Sequence, residues 1–277
     1  MEVETASPPE VFWSRSGEVN EDIGPILERW PYGEGPNVRK IVGRDGREKV
    51  QIRVVLEGFH GLLQFECDGR PDGKRPYGRE FALDYFEDMK RTQEKAPGYP
   101  KKFELSREQA AELFEESMMT YQRYVILLQM NDYPRVIRDT ARNMKLFRFV
   151  HENASHPEDR DRLEKWWAYI LRIHHTARAM LRLENGDYDG AARIVEQARS
   201  ALRKLPPQDD EVFQVEMKRS MKALDELEKL IENRRPPTEL ELLEREKAEA
   251  IAAEDYERAA ELRDRILELQ KRLDPSG

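Results

Sequence analysis

The sequence predicts an α+β chain, predominantly α. A small antiparallel β-meander with a covering helix comes first, then an antiparallel helical-repeat-like bundle and a C-terminal helical hairpin. Three observations carry this prediction. Between residues 37 and 68, apolar residues recur at every second position, the period of a half-buried strand. Beyond Ser106 they recur at three- and four-residue spacings, the period of an amphipathic helix. In residues 239–273, Ala259, Leu262, Ile266, Leu269 and Leu273 are spaced 3, 4, 3 and 4, which is a heptad seam.

The bulk properties bound what the chain can be. Its 277 residues fit one to two domains. Charged residues make up 37% and hydrophobic residues 39%, with a net charge of −8. Because the apolar positions are periodic, this balance describes a folded, salt-bridged, soluble chain. No apolar run approaches the roughly 18 residues that a membrane-spanning helix requires. The acidic N-terminus has no apolar core and does not read as a signal peptide. The single cysteine, Cys67, excludes an internal disulfide and a paired-cysteine metal site. A cytoplasmic location is the expectation. A net acidic chain also argues against general nucleic-acid binding, while leaving local basic faces available.

Taken in order, residues 1–24 lack periodicity, contain Pro8-Pro9 and read as a flexible arm. Residues 22–27 form a short helix, and Trp30-Pro31-Tyr32-Gly33 reads as a turn. Residues 25–95 are assigned to the meander and its covering helix. In the middle strand, Val50, Ile52, Val54 and Leu56 form the apolar face. Asp45-Gly46 gives the first hairpin turn and Gly58-Phe59-His60-Gly61 the second. Leu63, Phe65 and Cys67 alternate in the third strand. The helix over 79–92 is expected to cover the sheet through Phe81, Tyr85 and Met89. The Gly- and Pro-rich loop from Asp68 to Gly78 reads as a structural double turn. It is one residue short of a phosphate loop, carries Arg75 where a magnesium-binding hydroxyl belongs, and is interrupted by Pro71. Residues 95–104 are a linker.

The bundle is assigned to residues 105–234. Ser106 with Glu108 and Gln109 starts a helix by a capping box. Ala110, Leu113, Phe114, Tyr121, Tyr124, Val125 and Leu128 supply its apolar face. Asn131-Asp132-Tyr133-Pro134 breaks it. The next helix, 134–153, turns Val136, Ile137, Thr140, Met144, Phe147 and Val150 inward. One long helix is expected over 162–184, broken at Asn185-Gly186-Asp187-Tyr188. The following helix carries Ala191, Ala192, Ile194, Val195, Ala198 and Leu202. The two breaks lie 55 residues apart. Asp187-Tyr188-x-x-Ala191 resembles the hinge of a tetratricopeptide repeat, at a longer spacing. A last bundle helix spans 209–233, and Pro236-Pro237 with Thr238 separates it from the hairpin assigned to 239–274.

Little in the chain reads as catalytic chemistry. His60, His151, His156, His174 and His175 fall into no ligand spacing, and adjacent His174 and His175 point to different helix faces. No catalytic, cofactor-binding or metal-ligating residues are assigned, and a non-enzymatic role is expected. Two basic features stand out. Arg135, Arg138, Arg142 and Lys145 form one helical stripe, which either pairs with Glu112, Glu115 and Glu116 or holds phosphates or an acidic partner. Arg39, Lys40, Arg44, Arg47, Lys49 and Arg53 make the first hairpin basic, and nucleic-acid binding there would depend on salt. Aromatics are not interleaved with these residues, so base stacking has little support.

The run Asp255-Tyr256-Glu257-Arg258-Ala259-Ala260-Glu261-Leu262-Arg263-Asp264-Arg265-Ile266 resembles the UVR motif, and the helix from Leu243 through Ile251 fits its first half. The motif occurs in the bacterial excision-repair subunits UvrB and UvrC, in the regulator of a protein-arginine kinase and in some Clp-type unfoldases. The resemblance implies a protein–protein docking hairpin with the aromatic Tyr256 at the contact. Tyr256, Ala259, Ala260, Arg263 and Asp264 match position by position. Together with the seam, this gives Tyr256, Ala259, Ala260, Leu262, Arg263, Ile266 and Leu269 as the expected partner-binding residues. The implied partner is an excision-repair subunit. A kinase or unfoldase regulator, self-association through the seam, and nucleic-acid binding through the basic faces are the alternatives.

Overall fold

The structure is a computed structural model that describes residues 22–33, 37–96 and 102–273. The expected N-terminal arm, through residue 21, and the centre of the expected linker, residues 97–101, lie outside the described residues. The chain forms two compact units, residues 1–74 and 75–277.

The first unit contains the short helix α1 (Gly24–Arg29) and the antiparallel strands β1 (Val38–Val42), β2 (Glu48–Leu56) and β3 (Phe59–Glu66), in the order β1-β2-β3. Asp45-Gly46 turns the first hairpin, with Gly46 at φ 75°. The second turn is tighter and earlier than predicted. Leu56 pairs with Phe59, so only Glu57 and Gly58 lie in the loop, at φ 49° and 87°. Positive φ at both positions belongs to the type I′ turn, whose twist matches the flanking strands. Gly61 therefore sits inside β3, opposite Val54, and not in the turn.

The expectation of a single apolar sheet face also needs correction. Val50 is fully buried, but Gln51 and Arg53 on the opposite face are buried as well. Their polar groups are satisfied across the strands. The Arg39 guanidinium donates to Gln51 Oε1, and Gln51 Nε2 donates to Gln64 Oε1 at 2.9 Å. Arg53 Nε donates to the Trp30 carbonyl, and its Nη2 lies 3.0 Å from His60 Nδ1. A buried polar row of this kind is tolerated because each member has a partner. Beyond β3, the Glu66 amide donates to the Pro71 carbonyl and the Gly73 amide to that of Arg70, with Gly69 and Gly73 at positive φ.

The second unit is helical: α2 (Ala82–Lys95), α3 (Arg107–Gln129), α4 (Tyr133–Asn153), α5 (Pro157–Glu164), α6 (Trp167–Glu184), α7 (Tyr188–Arg203), α8 (Glu211–Arg234), α9 (Glu239–Ala252) and α10 (Tyr256–Leu273). The predicted sheet cover, α2, groups with these helices. Its Ala82, Leu83 and Phe86 share a core with Phe103, Leu105 and Leu113, and with Leu146, Phe147 and Val150 of α4. Its N-terminus is capped from α3: the carboxylate of buried Glu116 accepts from the Ala82 and Leu83 amides at 2.7 and 3.2 Å. A second core joins α6, α7 and α8 through Ala179, Leu183, Ile194, Val195, Leu224 and Ile231.

The helix predicted over 162–184 is two helices, α5 and α6, parted at Lys165-Trp166. This break leaves Leu163 and Ile170 in the first core while Ala168 joins the second. Helix α6 packs against α4, α7 and α8, so residues on most of its circumference are buried. The Ser106 capping box forms as predicted, with Gln109 as its reciprocal partner.

Candidate functional site

The C-terminal hairpin begins at Pro236-Pro237, where α8 has stopped. Thr238 accepts from the Glu241 amide, and the Glu241 side chain accepts from the Thr238 amide, which completes a capping box for α9. At the other end of α9, Glu254 lies in the left-handed region at φ 58°. Its amide donates to the Ile251 carbonyl, and the Asp255 amide donates to the Ala250 carbonyl at 2.9 Å. That is a Schellman closure, which satisfies the last carbonyls of α9. Asp255 then starts α10, its Oδ1 accepting from the Arg258 amide at 3.0 Å. The chain thus reverses within the three residues Ala253, Glu254 and Asp255, and Tyr256 is left at the tip of the turn.

The heptad seam closes within the hairpin. Leu262 (1% exposed) and Ile266 (6%) pack against Leu243 (6%), with Leu240, Ala250 and Leu269 half-buried around them. Of the expected partner-binding residues, Leu262 and Ile266 are therefore core residues of the hairpin, and Ala259 and Leu269 are half-buried. The physical reason is proximity: a three-residue turn brings α9 alongside α10, and α9 supplies the nearest apolar surface.

Tyr256 is 69% exposed, and Ala260 and Arg263 face solvent with it. The Arg263 guanidinium donates to the carboxylate of its neighbour Asp264 at 2.7 Å. Ile251, half exposed, flanks the turn on the other side, and Leu242 and Leu267 are also exposed. These last three stand outside the seam spacing, so periodicity did not single them out as surface.

The basic stripe on α4 is engaged within the chain. Arg135 pairs with Asp132 at 3.0 Å and Arg138 with Asp139 at 2.9 Å. Arg142 pairs with Asp84 at 3.0 Å, its guanidinium lying over the Phe81 ring, and Lys145 pairs with Glu87 at 2.6 Å. Of these carboxylates, two stand beside the stripe itself and two belong to α2. Much of the basic hairpin is engaged as well. Lys49 meets Asp45 and Glu66, Arg47 meets Asp45, and Arg39 stacks over the Trp30 ring.

His174 and His175 lie with ring centroids 5.4 Å apart, and each has a hydrogen-bond partner of its own. His174 Nδ1 lies 2.9 Å from Thr140 Oγ1, and His175 Nδ1 lies 2.9 Å from the Leu171 carbonyl. Burial lowers the pKa of His174 to about 4 and lowers that of His175 as well. Among the described residues, no three His, Cys, Asp or Glu side chains are grouped to hold a metal ion. No described helix is long and apolar enough to cross a membrane.

No curated protein and no solved structure gives a significant match to the chain. Residues 238–272 match a family model, the UvrB/uvrC motif, and these are the residues that build the capping box, α9, the turn and α10. The C-terminal hairpin of this chain is a UVR motif.

Proposed function

We propose that the chain is a non-enzymatic interaction adaptor that docks an excision-repair subunit of the UvrB/UvrC type through its C-terminal hairpin. The observation that carries the reading is the exposure of Tyr256 on a turn whose surroundings are fixed. The hairpin has its own closed core and caps, so it holds its shape without a partner, and its aromatic is left facing solvent. A rigid exposed tyrosine suits a contact residue, because few rotamers are lost when it is buried on binding. Ile251 and Ala260 extend the apolar area around it, and Arg263 with Asp264 gives it a polar rim.

The test is binding of the purified full chain to purified UvrB and UvrC, followed by biolayer interferometry, with wild type beside Tyr256→Ala. The expected result is saturable binding to one of them, weakened roughly thirtyfold by the substitution, the loss typical of an aromatic anchor. Equal binding by both forms would remove Tyr256 from the contact. Wild-type binding to neither subunit would overturn the repair link and direct the search to kinase or unfoldase partners of the same motif.

A further inference from the structure

The helical unit contains a cavity that the docking hairpin does not use. It has a volume of about 220 Å³ and lies among α3, α4, α5 and the start of α6. Five aromatic side chains line it: Tyr121 and Tyr124 from α3, Phe147 from α4, and Trp166 and Tyr169 at the start of α6. Their rings meet edge to face. Tyr121 stands at 90° to Tyr124 with centroids 5.5 Å apart, and at 61° to Tyr169 with centroids 5.7 Å apart. Such a wall offers faces and edges to a further ring at low cost in side-chain freedom. No charged side chain lines the cavity. Burial raises the Tyr124 and Tyr169 hydroxyls above the ordinary phenol range, so they stay neutral at any physiological pH.

Besides Ser117 and the tyrosine hydroxyls, one side-chain amide stands in this lining. Asn143 of α4 is 1% exposed. Its Nδ2 donates to the Ser117 carbonyl at 3.0 Å, which fixes which end of the amide is the oxygen. Its Oδ1 is buried and accepts no hydrogen bond. Buried amide acceptors nearly always have a donor, and one left over beside a cavity is a place where a donor belongs. The volume exceeds the roughly 150 Å³ that houses benzene in a dry apolar cavity, and it suits a molecule of one or two fused rings.

We propose that this cavity is a binding site for a small uncharged aromatic molecule carrying one N–H or O–H donor, its ring held by Tyr121, Phe147 and Tyr169 and its donor on Asn143 Oδ1.

Indole and indene test this directly, because they share a two-ring shape and differ in the N–H donor. Each is titrated into the full chain by isothermal calorimetry. Indole is expected to bind, and indene to bind at least tenfold more weakly. Asn143→Leu is expected to erase that difference. Because this substitution also removes the bond to Ser117, Met118→Trp serves as a second variant. Met118 is a partly exposed lining residue, and its replacement fills the opening and should abolish indole binding with the unfolding midpoint unchanged. The proposal is overturned by indole failing to bind up to its solubility limit, by equal affinities for the two probes, or by undiminished indole binding to Met118→Trp.

Discussion

Arg123 and Asp139 form the least accessible ion pair described in the structure. Their side chains are 0% and 1% exposed, and Arg123 Nε and Nη2 donate to the two carboxylate oxygens at 2.7 and 2.8 Å. Bidentate geometry offsets much of the desolvation that burying two charges costs. Removing Arg123 leaves the buried Asp139 carboxylate with the partly exposed Arg138 as its counter-charge. Arg123→Met is therefore expected to lower the unfolding free energy by about 3–5 kcal/mol, read by urea denaturation. The double variant Arg123→Met with Asp139→Leu should recover most of the loss, since an apolar pair of similar volume avoids the desolvation altogether. A double variant no more stable than the single one would show that the pair is worth more than its desolvation. None of this was legible in the sequence. Of the apolar face predicted for α3, Ala110, Leu113 and Tyr124 are buried, but Glu116, Thr120, Arg123 and Leu127, which that face did not include, are buried with them. A charged residue on a helix defaults to the solvent face. Only the facing helix, which brings Asp139, and the N-terminus of α2, which brings its amides to Glu116, reverse that default.

Three helix junctions share one solution. At Asn131-Asp132-Tyr133, Gly186-Asp187-Tyr188 and Glu254-Asp255-Tyr256, the first residue has positive φ: 58°, 73° and 58°. In each, the aspartate amide donates to the carbonyl five residues back: Leu127, Arg182 and Ala250. Its side chain then accepts from the amide three residues on: Arg135, Gly190 and Arg258. One residue thus ends a helix and starts the next. The Asp-Tyr pairs were visible in the sequence because capping chemistry is local. The left-handed residue was visible only as Gly186, since Asn131 and Glu254 adopt that conformation at a cost. Glu254 bears most of this strain, having neither the freedom of glycine nor the tolerance of asparagine. Glu254→Gly is expected to stabilise the hairpin by roughly 0.5–1 kcal/mol, seen as slower amide exchange across α9 and α10 with α6 unchanged. Faster exchange in the hairpin would show that the glutamate makes compensating contacts in the turn.

The whole chain divides by where its apolar residues meet. The cores of the helical unit fall in distinct clusters: one around Leu83, Phe103, Leu113, Leu146 and Phe147, another around Leu183, Val195, Phe213 and Leu224, and a small one of Leu243, Leu262 and Ile266 in the hairpin. Periodicity located the helices that feed each cluster, because a helix must turn one face inward whatever it packs on. It did not say which face meets which. The heptad of α10 therefore read as a surface awaiting a partner, when α9 already covers it. The same partition predicts how truncation behaves. The first two clusters contain no residue beyond Ile231. Ending the chain after Pro236 is thus expected to leave the thermal midpoint of the remainder within about 4 °C of the full chain, the shift that roughly 1 kcal/mol gives in a chain of this size. Binding to the partner proposed above should be lost completely in the same variant. A fall of 10 °C or more would mean that the hairpin supports the bundle. The exposed Tyr256 would then mark the tip of a structural strut, and its role as a docking residue would need evidence independent of the deletion.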